Sequence, residues 1–189
     1  MTHWAGDDEA KPAPGGLRRV QALINTVDRE SGQDRLADAT TATDWLVANE
    51  LLAAGDTASR EQLINFVAVR EALRAMALHN TGGPVPTDTE LAPLRAVAAA
   101  NSIGAELDDS GTVRLSPRGG SAEARLLGLL LTVRDAQADG TWSHLKACAN
   151  TECHWAFYDR SRNHGGTWCE MSSCGNKLKN REFRARRKG

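Results

Sequence analysis

Cysteine is missing from the first 147 residues of this 189-residue chain, so no disulfide can staple the body, whose fold must rest on an apolar core. A secretory leader is also lacking: Met1-Thr2-His3-Trp4-Ala5 has neither a basic start nor an apolar run behind it. Long hydrophobic stretches are absent. The densest, over residues 126–133, is interrupted by Gly128 and Thr132 and falls far short of the roughly 20 residues that span a bilayer. With no lipid-anchor signal either, the expected compartment is the cytoplasm and no membrane partner is expected. There is no Gly-rich phosphate loop, no nucleophile elbow and no His/Glu zinc motif with an open coordination position, which argues against an enzyme. Internal repeats are absent. Net charge is close to absent too, at −1, but that total conceals a split. Residues 141–189 hold 10 Lys and Arg against 4 Asp and Glu, while the remainder holds 13 against 20. An acidic body with a basic end is the charge layout of a regulator that grips a polyanion.

What is present is concentrated. All four cysteines fall in the last quarter as two matched pairs, Cys148-x4-Cys153 and Cys169-x4-Cys174, separated by 15 residues. A tetrahedral Zn²⁺ needs four soft ligands at one point, and two short loops supply them with little closure entropy. Two disulfides are the alternative pairing, but nothing secretory accompanies them. One structural zinc held by Cys148, Cys153, Cys169 and Cys174 is therefore expected. His154 and His164 lie nearby, yet four thiolates need no further ligand, and both are assigned to the surface or to positions behind the ligands. His144 and His79 are expected to be structural.

The rest of the chain reads as helices with a little sheet. Residues 1–16, rich in Pro and Gly, predict a disordered arm. Leu17, Val20, Ile24 and Val27 recur at helical spacing, and a second helix is expected behind Thr43 as N-cap. A third covers residues 59–79, and a fourth starts at Thr87 or Thr89. Ile103-Gly-Ala-Glu-Leu107 and Thr112-Val-Arg-Leu115 flank a Gly-containing turn and predict a hairpin. From Ser121, residues 122–138 form a helix apolar on nearly every side and therefore central. On the third helix, Leu63, Phe66, Val67, Leu73 and Ala77 share one arc at about 100° per residue, and Arg70 falls inside it. Such a guanidinium either snorkels or pairs with a carboxylate, or it anchors an acidic ligand.

Between the cysteine pairs, His154, Ala156 and Tyr158 alternate with Trp155, Phe157 and Asp159, a strand pattern, and Asn163-His-Gly-Gly166 offers a return to Thr167-Trp168. Trp155, Phe157 and Trp168 supply a miniature core for a metal-stapled module. Loss of one cysteine is then expected to unfold this tail alone. Beyond Cys174 come seven basic residues against one acid. Read as a helix capped by Ser172 or Ser173, that segment brings Lys177, Arg181, Arg184 and Lys188 to one side, and Arg160 with Arg162 adds a second cluster.

The Cys148-x4-Cys153 pair, Asp159-Arg-Ser-Arg-Asn163, Trp168-Cys169-x-Met171 and Cys174-Gly-Asn-Lys177 together closely resemble the CGNR zinc-finger family. Lys177 stands where the family motif has Arg, so a point ammonium replaces a planar fork. Ile24-Asn-Thr-Val27, Asp44-Trp-Leu46 and Val69-Arg-Glu-Ala-Leu73 resemble the ABATE domain that precedes this finger in bacterial proteins. These resemblances imply a mostly α N-terminal domain with a small β-hairpin or sheet (α+β) over residues 17–140. They imply a treble-clef-like zinc finger of knuckle, hairpin and basic helix over residues 141–189. The function implied is a stress-linked, zinc-dependent, DNA-binding transcription regulator, nucleoid-associated when bound. DNA contact is expected from Arg160, Arg162, Lys177, Arg181, Arg184 and Lys188; Arg70 and Asn25 are the candidates for contact with a small-molecule effector, and the body is a candidate homodimer. The alternative is an RNA-binding or protein-interaction adaptor, because phosphate contacts carry no sequence information.

Overall fold

The α-helices in the computed structural model, which describes Trp4 and residues 9–176, begin where a side chain supplies a cap. The exception is α1 (Leu17–Ile24), which starts at Gly16 with no side-chain cap and buries Leu17, Val20, Leu23 and Ile24. It stops short of Val27, which joins a two-residue strand, β1 (Val27–Asp28), paired antiparallel with β2 (Gln33–Asp34). Helix α2 (Ala39–Ala48) is capped by Asp38, whose carboxylate accepts the Thr40 and Thr41 N–H groups. Thr43, the expected cap, lies inside that helix; its hydroxyl donates to Ala39 O at 2.7 Å and accepts Ala58 N–H at 3.0 Å. Reciprocal capping boxes start α3 (Arg60–His79), with Ser59 and Gln62, and α4 (Asp88–Ala100), with Thr87 and Glu90.

Strands β3 (Ile103–Leu107) and β4 (Val113–Pro117) form the expected hairpin. Ser121 caps α5 (Ala122–Ala138) through the Ala124 N–H. That helix is central, as its composition demands: α1, α3, α4 and β4 all pack on it. A short turn over Thr141–His144 then leads to β5 (Leu145–Ala147), which pairs antiparallel with β6 (Ala156–Tyr158). The architecture is thus α+β, with three two-stranded sheets among the described residues. No described helix is long and apolar enough to cross a membrane.

Two arrangements differ from the sequence expectation. First, β6 pairs with the strand before Cys148 rather than with residues 167–168, so the first cysteine pair sits in the turn of its own hairpin. Every residue of β5 and β6 is buried, and Leu145, Ala147, Ala156 and Tyr158 belong to the same core as Phe66 and Leu73 of α3. The metal-bearing region therefore shares the body's core, and unfolding it alone is not expected. Second, residues 9–16 are ordered against that hairpin, although a disordered arm is the sequence expectation for 1–16. Lys11 O accepts Tyr158 N–H at 2.9 Å, Ala13 N–H donates to Gln21 Oε1 at 2.6 Å, and Ala13 and Trp4 are buried. The basic helix expected over residues 177–188 lies outside the described residues.

Candidate metal centre

The β5–β6 turn is built to present two thiols. Cys148 N–H donates to Trp155 O at 2.9 Å, while Asn150 O accepts the N–H groups of Cys153 at 2.9 Å and His154 at 3.0 Å. His154 closes the turn with φ +51, a left-handed geometry that non-glycine residues seldom adopt. The second pair comes from the segment around Met171–Gly175, a short helical turn that buries Cys174. Asn150 Nδ2 reaches Cys174 Sγ at 3.5 Å, linking the two pairs.

All four Sγ atoms lie within 4.8 Å of one another, and all four cysteines are free thiols, which removes the disulfide alternative. Cys153 and Cys169 are 3.7 Å apart, and Cys169 and Cys174 3.8 Å. A tetrahedron with Zn–S of about 2.3 Å has edges of about 3.8 Å, so the spacing fits zinc. The charges agree with the geometry. Bonding from the Cys153 and Cys169 thiols holds Cys148 down to about 2, while Cys148 in turn pushes Cys153 and Cys169 far above the thiol range. A cation at the centre of the four sulfurs relieves that competition, and four thiolates leave no coordination position for a substrate.

A buried ion pair supports the approach to Cys169. Lys146 Nζ donates to Asp159 Oδ2 at 2.9 Å, to Gly166 O at 3.1 Å and to His164 O. Burial alone would raise the Asp159 carboxyl, but bonds from Ser161, Lys146 and the Gly166 N–H outweigh it and hold the group well below the carboxylate range. Gly166 has no room for a side chain: a Cβ there would sit 2.9 Å from the Asp159 carboxylate. His164 stacks on His144 with ring centroids 3.8 Å apart, consistent with a structural place for both.

The module is tied to the body by side chains that sequence reasoning only half identified. Arg70 is 4% exposed. Its Nη1 donates to both Asp34 oxygens, at 2.8 and 2.9 Å, and its Nε to Glu71 at 2.7 Å. Arg74, not anticipated, binds Glu71 at 2.9 Å, Ile24 O at 2.7 Å and His154 O at 2.8 Å, beside a metal ligand. The signal was available, since Arg74 lies about 20° from Leu63 on the same helical wheel. Burial would raise the Glu71 carboxyl, yet Arg74 and Arg70 together hold it below its ordinary value. Asn25, the other candidate for effector contact, uses its carboxamide as a third strand on β6: it accepts Ala156 N–H at 2.7 Å and donates to Ala156 O at 2.9 Å. Gln21 donates to the same carbonyl at 3.1 Å. Asn25 also lines a cavity of about 350 Å³ bounded by Trp4, Arg18, Arg35 and Trp45.

Of the residues expected to meet DNA, the structure describes two. Arg162 is exposed. Arg160 is exposed too, but donates to Pro12 O at 2.9 Å and lies over the Tyr158 ring. Lys177, Arg181, Arg184 and Lys188 fall outside the described residues.

An α+β body sharing its core with a four-cysteine centre defines a zinc-finger protein whose metal is structural. The comparisons agree: residues 144–187 match the CGNR zinc finger, and residues 17–139 match ABATE, described as "Putative stress-induced transcription regulator". The latter match spans well over half the chain, which belongs to the ABATE family. No curated protein matches it.

Proposed function

We propose that the chain is a non-catalytic transcription regulator that binds DNA through the basic surface around its zinc centre. The observation that carries this reading is the closed four-thiolate site placed immediately before a segment with seven basic residues and one acid. A metal with no open position organises structure, and the nearest chemistry for that structure to deliver is cation against phosphate. The order of elements, a cysteine-bearing hairpin turn followed by a second pair leading into the basic segment, supports a treble-clef-like finger. Arg162 and the exposed part of Arg160 belong to the proposed surface, and Lys177, Arg181, Arg184 and Lys188 are the further cations proposed to contact phosphate. The cavity beside Asn25 supports an effector response, because its wall residues Gln21 and Asn25 also hold Ala156 of the metal-bearing hairpin.

Binding of the zinc-loaded protein to duplex DNA, single-stranded DNA and RNA of one sequence, titrated with salt, tests the reading. Preference for duplex DNA with a steep salt slope supports it. Equal or stronger binding to RNA, or none to any of the three, transfers the case to an RNA-binding or protein-interaction adaptor.

A further inference from the structure

The β3–β4 hairpin carries a face that the body uses only at its base. The register pairs Ile103 with Pro117, Ala105 with Leu115 and Leu107 with Val113. Side chains two apart on a strand share a face, so these six lie on one side, while Gly104, Glu106, Arg114 and Ser116 take the other. The first side holds no charge. Pro117 lies close to Gly128 of α5 at its base. The rest of the face is open: towards the turn Leu107 is 71% exposed, Val113 59% and Leu115 38%, and at the base Ile103 is 47% exposed. The turn is nonetheless well held, since one Asp108 oxygen accepts the N–H groups of Ser110 and Thr112, both at 3.0 Å. An isolated two-stranded hairpin is marginal in water. Here it is fastened at both ends and presents an apolar strip.

We propose that this strip is a homodimer contact, in which the hairpins of two copies of the chain stack face to face across a two-fold axis. Such an axis requires one patch to be complementary to itself. A charge-free apolar face satisfies that condition without any charge to match, whereas nucleic acid would require cations on it. Area sets the strength. The four large side chains expose on the order of 400 Å² per copy, below the roughly 800 Å² per partner of a standard stable interface. The dimer is therefore weak and concentration-dependent, and it forms without DNA. It does not depend on the DNA reading, though it would bring two zinc modules to one duplex.

Sedimentation velocity of the zinc-loaded full chain, without nucleic acid and from low-micromolar to near-millimolar concentration, tests this. The wild type is expected to shift from monomer to dimer across that range. Leu107→Lys with Val113→Lys should weaken association by roughly 100-fold or more, with zinc content and far-UV circular dichroism unchanged. A milder pair, Leu107→Ser with Val113→Thr, should weaken it by roughly tenfold. Leu107→Ile should keep the dimer. A wild type that stays monomeric at near-millimolar concentration overturns the proposal, as does a dimer whose affinity both paired variants leave intact.

Discussion

Replacing Asn25 by alanine removes the joint between body and metal module at its most economical point. The carboxamide bonds both polar groups of Ala156, at 2.7 and 2.9 Å, and donates to Glu9 at 3.0 Å. After the change Gln21 still serves Ala156 O, but the buried Ala156 N–H loses its partner. Two net hydrogen bonds of about 1 kcal/mol each, with a further 1–3 kcal/mol for an unsatisfied buried donor, give a loss of about 3 kcal/mol or somewhat more. That is a large share of the roughly 5–15 kcal/mol that holds a domain together. Urea denaturation of the zinc-saturated protein, followed at once by far-UV circular dichroism and by zinc release to a dye, reads the effect. Both transitions should move to lower urea together. A loss below about 1 kcal/mol, or zinc release at lower urea with the helical transition unmoved, refutes the claim that β6 is part of the body's core.

Other perturbations probe the remaining interactions. Arg70→Ala leaves Asp34 without its buried partner and Glu71 with Arg74 alone, and should cost about 3–5 kcal/mol in the same denaturation; a cost near zero would contradict its pairing. Glu71 is held below its ordinary value by Arg74 and Arg70, so its contribution is full above the unfolded-state carboxylate range and fades as pH falls through the folded value. The stability gap between wild type and Glu71→Gln should therefore shrink from neutral towards acid pH, and a gap that widens instead is the contrary result. Cys148→Ser, or zinc removal by a chelator, should lower the melting temperature of the whole chain in one transition, because β5 and β6 lie in the shared core; an unchanged helical melt would show two independent units.

The chemistry of the metal centre was legible because four-ligand coordination restricts both residue type and spacing, and two Cys-x4-Cys pairs leave few alternatives. Helix α3 was legible from the apolar arc of Leu63, Phe66, Val67, Leu73 and Ala77, and α5 from a run with no polar face. The start of α2 was not, since Thr43 and Asp38 are both good caps and tertiary bonding of the Thr43 hydroxyl to Ala39 O and Ala58 N–H decides between them. Strands of two or three residues, such as β1 and Leu145-Lys-Ala147, are too short to show alternation. The partner of β6 was missed for the same reason, and with it the place of Lys146, a buried cation whose acceptors Asp159, His164 and Gly166 lie 13 to 20 residues away. Residues 9–16 look unstructured by composition, but their order comes from bonds to Gln21 and Tyr158, which no local pattern encodes.

The central claim is that the basic surface around the zinc centre binds DNA, and the salt dependence of duplex binding tests it most directly. Lys177, Arg181, Arg184 and Lys188 replaced together by alanine, with zinc content confirmed, should weaken binding to every duplex sequence. Removing one phosphate-neutralising cation reduces the slope of log affinity against log salt by about 0.9, so the slope should fall by roughly 3–4. A quadruple variant that keeps its zinc and shows unchanged affinity and unchanged slope would contradict the account.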